Sequence, residues 1–242
     1  MIDLHCHILP GLDDGAQAME EALEMARIAV QDGMTDIVAT PHTYNGLYLN
    51  RAVDILKAVD DLQQALDRES IPLRIHPGAE VHVHAECIEH ILSSEILTIC
   101  NGRKYLLLEL PFHHIPRFTD DLLYELKIQE IVPIIAHPER NAVLCERPNI
   151  LANWIQEGAL AQLTAGSLLG HLGERTKSVA EYMVEHGLVH VIASDAHNTR
   201  RRRPELRAAY QALAEKFSPE LAEQFKENAR IILRGESLQI ES

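Results

Sequence analysis

The run Asp3-Leu4-His5-Cys6-His7 stands behind an apolar start and reads as the end of a first β-strand, over Ile2–His5. Side chains alternate across a strand, so His5 and His7 share one face and Cys6 takes the other. Two imidazoles on one face, two positions apart, can hold one metal ion. His-x-His also occurs as ordinary surface sequence, so the pair gains meaning only from its company along the chain. Residues of the same chemistry recur, nearly all at or just beyond the ends of apolar runs: Asp14, His42, Glu80, Glu109, His137, Asp195 and His197.

The apolar runs give further strands over Asp36–Thr40, Leu73–Glu80, Tyr105–Glu109, Val132–His137, Ala159–Thr164 and Val189–Asp195. Helical patterns separate them, near Ala18–Asp32, Arg51–Glu69, Ala85–Leu92, Thr119–Gln129, Asn149–Gln156 and Glu174–Glu185. Two more, near Pro204–Lys216 and Pro219–Asn228, close the chain. In the first helix Ala22, Met25, Ala26 and Ala29 fall at helical spacing, and Gly33 suits its end. Strands alternating with helices argue for a parallel sheet with crossover helices. A single α/β barrel fits the 242 residues, and no linker or repeat divides them, so one domain over 1–242 is expected. Functional groups of such a barrel gather at the carboxyl ends of its strands, where His5, Glu80, Glu109, His137 and Asp195 stand.

Composition narrows the function. Hydrophobic residues make up 46%, which excludes wholesale disorder. A formal net charge of -14 disfavours nucleic-acid binding, a nuclease role included. An anionic substrate would need positive charge concentrated locally by metals or arginines. No leader-like stretch stands before Asp3, and no apolar run approaches the ~20 residues of a membrane span. Cys6, Cys87, Cys100 and Cys145 form no C-x-x-C pair. A cytoplasmic protein with reduced thiols and no membrane insertion is expected.

Five histidines and four carboxylates are too many for one ion and suit two or three, with Glu80 placed to bridge. Imidazole nitrogen and carboxylate oxygen accept Mn²⁺, Fe²⁺, Zn²⁺ or Mg²⁺. Two such ions ~3.5–4 Å apart can activate water and hold the group it attacks. The remaining histidines read as surface or hydrogen-bonded residues, with His82 and His84 candidates for a pocket rim. Asp13 reads as a turn or supporting residue and Cys6 as core. No cysteine has an arginine six positions later, as a thiol phosphatase loop would require.

Ordered motifs then point to a family. His5-Cys6-His7-Ile8-Leu9-Pro10-Gly11-Leu12-Asp13-Asp14-Gly15 resembles the first motif of the PHP (polymerase and histidinol phosphatase) superfamily. The Asp13-Asp14-Gly15 form resembles its bacterial protein-tyrosine phosphatase branch, of CpsB/YwqE type. Thr40-Pro41-His42, Gly78-Ala79-Glu80, Leu108-Glu109, Ala136-His137-Pro138-Glu139-Arg140 and Ala193-Ser194-Asp195-Ala196-His197-Asn198 match its later motifs in order. The resemblance implies a distorted (β/α)7 barrel with three divalent metal ions, manganese first among them. It assigns His5, His7, Glu80 and Asp195 to one ion, Glu80, Glu109 and His137 to a second, and Asp14, His42 and His197 to a third. Arg140 would bind phosphate. A further arginine before a proline is expected in Arg200-Arg201-Arg202-Arg203-Pro204: Arg203 by motif, or Arg202 by distance from Asp195. The implied activity is phosphotyrosine hydrolysis, on the tail of a bacterial tyrosine autokinase that regulates capsule or exopolysaccharide synthesis. The alternatives are a small-molecule phosphatase, such as histidinol-phosphate phosphatase, and a non-catalytic metal-binding module.

Overall fold

The computed structural model describes residues 1–238, and positions 239–242 of the expected domain lie outside it. Its strands are β1 (Ile2–Cys6), β2 (Asp36–Ala39), β3 (His42–Thr43), β4 (Arg74–Pro77), β5 (Glu80–His82), β6 (Tyr105–Glu109), β7 (Val132–Ala136), β8 (Leu160–Thr164) and β9 (Val191–Ala193). Its helices are α1 (Met19–Asp32), α2 (Ala52–Arg68), α3 (Cys87–Leu92), α4 (Thr119–Ile128), α5 (Ala142–Glu146), α6 (Pro148–Gln156), α7 (Ala165–Leu168), α8 (Glu174–Glu185), α9 (Arg207–Lys216) and α10 (Pro219–Leu233).

All strand pairs are parallel, in two sheets ordered β1-β2-β4 and β3-β5-β6-β7-β8-β9. The third expected strand is broken in two, and a short additional strand follows the second. Pro41 has no N–H to give a ladder and separates the second strand from β3. Gly78 interrupts the third; a Cβ there would lie 2.7 Å from Val38 Cγ1. The breaks fall side by side, because Ala39 pairs with Pro77 and His42 with Glu80. Below them the turn Ile99–Asn101 packs between β4 and β6. The ring closes between β9 and β1, where Asp195 N donates to His5 O (2.9 Å) and His7 N to Ala196 O (2.8 Å). At this seam the buried Asp3 carboxylate accepts from Ser194 N and Ser194 Oγ. The result is the distorted (β/α)7 barrel that the resemblance implies.

The barrel is apolar below and polar above. Leu4, Val38, Leu107, Ile134, Leu160 and Val191 fill its lower interior. Ala229 and Ile232 of α10 join that cluster and plug the bottom. A larger cluster lies between the outer strand faces and the helices, and it takes Cys6. α10 therefore runs past the expected Asn228 to Leu233, because its last turns are buried. α9 starts later than expected: Asp32 Oδ2 accepts from Leu206 N and Arg207 N, and so caps the helix at Arg207.

His190 joins β8, β9 and α10. Its Nδ1 accepts from Ala161 N, and its carbonyl accepts from Asn228 Nδ2. Burial pushes the imidazole down to about 4. Below pH ~6.5 the unfolded chain binds a proton that the native chain refuses, so stability falls as pH falls toward 4, at ~1.4 kcal/mol per unit. His190→Asn keeps an acceptor for Ala161 N and removes this titration. Melting curves between pH 7 and 4.5 should show a shallower acid loss in the variant, and equal slopes would count against the assignment.

Candidate metal centre

The nine residues singled out as metal ligands gather at the upper end of the ring. β1 carries His5, and His7 lies just beyond its end, with a register irregularity between Asp3 and Cys6. His5 Nδ1 donates to Gln162 Oε1 (2.8 Å), and His7 Nδ1 donates to Asp13 Oδ2 (2.7 Å). Both partners are acceptors, so each ring carries its proton on Nδ1 and turns a bare Nε2 inward. The two Nε2 atoms lie 3.1 Å apart. Glu80 Oε2 is 3.3 Å from each, and Asp195 Oδ1 is 3.5 Å from each. Four acceptors thus face one point, and the three residues His5, His7 and Glu80 are wholly buried. Only a cation satisfies that arrangement.

The other ligands continue from this point. His42 Nδ1 is 2.8 Å from Glu80 Oε2 and 3.7 Å from Glu109 Oε2. His137 Nε2 is 2.8 Å from Glu80 Oε1 and 3.9 Å from Glu109 Oε1. Asp14 Oδ1 is 3.6 Å from His42 Nε2 and 3.5 Å from His197 Nε2. Ligand atoms fall into three groups, each within 4.8 Å: His5-His7-Glu80, His42-Glu80-Glu109, and His7-Asp14-His42-His197. Glu80 belongs to two of them, as a bridging carboxylate would. Glu80 Oε2, His42 Nδ1 and His197 Nε2 are buried and none has hydrogen-bond geometry with a partner, the 2.8 Å approach of His42 Nδ1 to Glu80 Oε2 included. Such orphaned atoms are what a bound metal would satisfy, so the residues fit the group.

Charge follows the same logic. Burial works against protonating His5 and His7, yet Glu80 and Asp195 at the first, and Asp13 at the second, outweigh it and raise both. Burial likewise opposes ionising Glu80 and Asp195, but the surrounding imidazoles, joined at Asp195 by Arg202, hold both far below the usual carboxylate range. Two ligands are also held in left-handed backbone, His137 at φ 33° and Asp195 at φ 51°. A non-glycine residue there costs ~1–3 kcal/mol and persists only where its surroundings enforce it.

Two arginines face the same cavity of ≈ 260 Å³. Arg140 Nη1 donates to Asp195 Oδ2 (2.6 Å), and Arg202 Nη2 approaches the same oxygen (2.7 Å). Arg203 pairs with Glu205 instead and does not line the cavity. The loop explains the choice. Asn198 Oδ1 accepts from the backbone N of Arg200, Arg201 and Arg202, while His197 N and Asn198 N donate to Arg202 O. That tight turn returns Arg202 over the site.

Sequence reasoning passed over Gln162, Asn45 and Phe112. Gln162 carried a usable signal, since a buried amide within an apolar strand is costly without a partner. Asp13 has the supporting role expected of it: it orients His7 and accepts from His42 N and Gly15 N. His82 lines the rim with Nδ1 3.1 Å from Glu109 Oε2, whereas His84 bonds to His90. A larger groove of ≈ 1090 Å³ lies outside the barrel between α4 and α6. Of its acids Asp120 accepts from Trp154 Nε1 and Glu157 pairs with Lys127, and among the described residues no group suited to a metal gathers there.

The family profile for capsular polysaccharide synthesis, CpsB/CapC, matches residues 1–234. The chain belongs to the CpsB/CapC family. It is 41% identical over 238 residues to the tyrosine-protein phosphatase YwqE of Bacillus subtilis, covering 98% of this chain and 93% of that one. It is 30% identical to the tyrosine-protein phosphatase CpsB of Streptococcus agalactiae, covering 97% and 99%. A crystal structure from the pair YwqE of Bacillus subtilis and CpsB of Streptococcus pneumoniae, metal-dependent tyrosine phosphatases, superposes with a TM-score of 0.96 at 40% identity, over 99% of this chain and 96% of that one. A β-aspartyl dipeptidase of Fervidobacterium islandicum shares the fold alone, with a TM-score of 0.58 at 16% identity, over 98% and 74%.

Asp14 is the most exposed of the nine candidate ligands and belongs to one group. Asp14→Ala should fold normally and bind one divalent ion fewer than the wild type after manganese loading. Elemental analysis beside circular dichroism checks this; an unchanged metal count would remove Asp14 from the cluster.

Proposed function

We propose that this chain is a metal-dependent protein-tyrosine phosphatase whose one domain, residues 1–242, holds three divalent ions, manganese by preference. The observation that carries the reading is the placement of Arg140 and Arg202 on Asp195, within the cavity that five of the nine candidates, Asp14, His42, Glu109, His137 and Asp195, also line. His5, His7, Glu80 and Asp195 would hold one ion, Glu80, Glu109 and His137 another, and Asp14, His42 and His197 the third. When bound, the ions supply Lewis acidity toward phosphoryl oxygen and lower the pKa of water.

The chain's own residues do the rest. Gln162 and Asp13 fix the tautomers of His5 and His7, so that neither ring turns an N–H toward the ions. Arg140 and Arg202 each present planar forks of donors suited to phosphate oxygens, and they stay charged at any working pH. Developing charge on those oxygens meets fixed cations in a site that is dry at its base. A tyrosine phenolate leaves with a pKa near 10, so it needs only modest assistance. A cysteine mechanism is disfavoured: burial pushes the thiols up, Cys87 to about 12, Cys100 to about 11, and Cys6 well above its usual value.

The relatives are tyrosine phosphatases tied to capsule synthesis, which supports a phosphotyrosine protein as substrate. We place it at the tyrosine-rich tail of a bacterial tyrosine kinase, met in the cytoplasm. Among the described residues no helix is long and apolar enough to cross a membrane. The small-molecule reading finds no support among these relatives. A panel of phosphotyrosine peptide, phosphoserine peptide and histidinol phosphate, offered to manganese-loaded protein, tests the reading. Preference for histidinol phosphate would overturn it.

The arginines give a sharper test. Arg140→Ala and Arg202→Ala should keep their metals and their Tm while phosphotyrosine hydrolysis drops by ~10²-fold or more. Arg203→Ala should stay close to wild type. Equal losses in Arg202→Ala and Arg203→Ala would mean that the whole run acts as a diffuse cationic surface.

A further inference from the structure

Among the described residues that line the metal cavity, Phe112 alone is apolar. Its neighbours there are carboxylates, imidazoles, Asn45 and the two arginines. Phe112 is nevertheless 40% exposed. Its ring centroid lies 4.9 Å from Arg140 Cζ. It also stacks on the His137 imidazole at 5.7 Å and 25°. A benzene ring kept partly in water among charged groups gains nothing there for the core.

The ring is held in place from behind. Phe112 O accepts from Ala142 N (2.8 Å), and Pro111 O accepts from Asn141 Nδ2 (2.7 Å). Asn141 Oδ1 in turn caps α5 by accepting from Val143 N and Leu144 N. The loop after β6 is thereby tied to the residue next to Arg140. The two backbone segments that carry the phenyl ring and the guanidinium are fixed to each other.

We propose that Phe112 is the specificity wall of this cavity, stacking on the aromatic ring of an aryl phosphomonoester whose phosphate is held by Arg140 and Arg202. The proposal rests on the phosphatase reading above and adds the reason for choosing an aryl over an alkyl ester. A phosphate on the Arg140 fork brings a directly attached ring into the range of offset stacking on Phe112, with centroids ~4.5–7 Å apart. A serine-type ester has only a methylene to present there and leaves the ring wet. Discrimination then comes from one aromatic surface, with the metals and arginines common to both substrate types. The competing role is mere support, in which Phe112 steadies Arg140 for every phosphate alike.

Calorimetric titration of the full-length, manganese-loaded protein with phenylphosphonate and methylphosphonate separates the two roles, since both ligands share a headgroup and neither is hydrolysed. Wild type should bind phenylphosphonate about tenfold more tightly than methylphosphonate. In Phe112→Ala the ratio should fall below about threefold, with methylphosphonate affinity held within about twofold; Phe112→Tyr should retain the preference. Phe112→Leu, which keeps apolar bulk without the ring, decides the matter by the same ratio should the alanine variant fold poorly. A ratio unchanged in these ringless variants, or equal weakening of both ligands, overturns the proposal. Turnover of p-nitrophenyl phosphate by wild type is read separately. Absent turnover with an intact binding ratio would defeat the phosphatase reading and leave the wall standing. Normal turnover with an unresponsive ratio would do the reverse.

Discussion

Bare lone pairs facing one another in a dry space are the constraint on which this structure depends. The Nε2 atoms of His5 and His7, 3.1 Å apart, and the oxygens of Glu80 and Asp195 around them have no donor among them. In water such groups would separate. Here the barrel forbids it, because each is fixed to a strand end and the apolar lower half of the ring gives no room to retreat. Gln162 and Asp13 close the remaining escape by holding the Nδ1 protons on the outside. The raised proton affinity of His5 and His7 expresses the same demand, with protons meeting in part the need that a metal would meet in full. The left-handed backbone of His137 and Asp195 is a further cost of aiming ligands inward. It is borne by the hydrogen bonds of the seam and of the turn Pro138–Arg140.

Asp195 joins the two halves of the site. Its Oδ1 faces the His5 and His7 nitrogens, and its Oδ2 takes both arginines. One carboxylate therefore sets the distance between the metal positions and the cationic forks. Arginine has five N–H donors, so a single contact to Asp195 orients each guanidinium and leaves others for a phosphate. A lysine at either position would keep the charge and lose this division of labour.

The candidate ligands were legible in the sequence because their placement is expensive. Apolar runs ending again and again in His, Asp or Glu make sense only if those ends meet. The strands themselves were legible as β-branched and leucine-rich runs at barrel spacing. What escaped is tertiary. The offset at Pro41 and Gly78, which makes β3 and β5 separate strands, depends on two chain segments lying side by side. The start of α9 depends on Asp32, far away in sequence. α10 outlasts its own polar pattern because Ala229 and Ile232 meet the barrel floor. The choice of Arg202 over Arg203 was set by how Asn198 coils a loop. Phe112 had no periodicity to betray it, since it lies in a loop among residues of mixed character.

The charge balance explains why metals and phosphate belong to one site. The chain carries a net -14, and its four ligand carboxylates make the bare cavity hostile to a phosphate dianion. Beyond a Debye length of ~8 Å at physiological salt the distant acids are screened, so the decision is made locally. Three divalent ions would outweigh the ligand carboxylates, and Arg140 and Arg202 would add to the surplus. The arginines alone cannot reverse the sign, because two positive charges face four carboxylates. Metal loading and anion binding are then linked free energies: the ions make the cavity attractive to phosphate, and a bound phosphate must hold the ions more tightly by the same factor. A protein so acidic overall can in this way choose an acidic substrate at one point of its surface and repel it elsewhere.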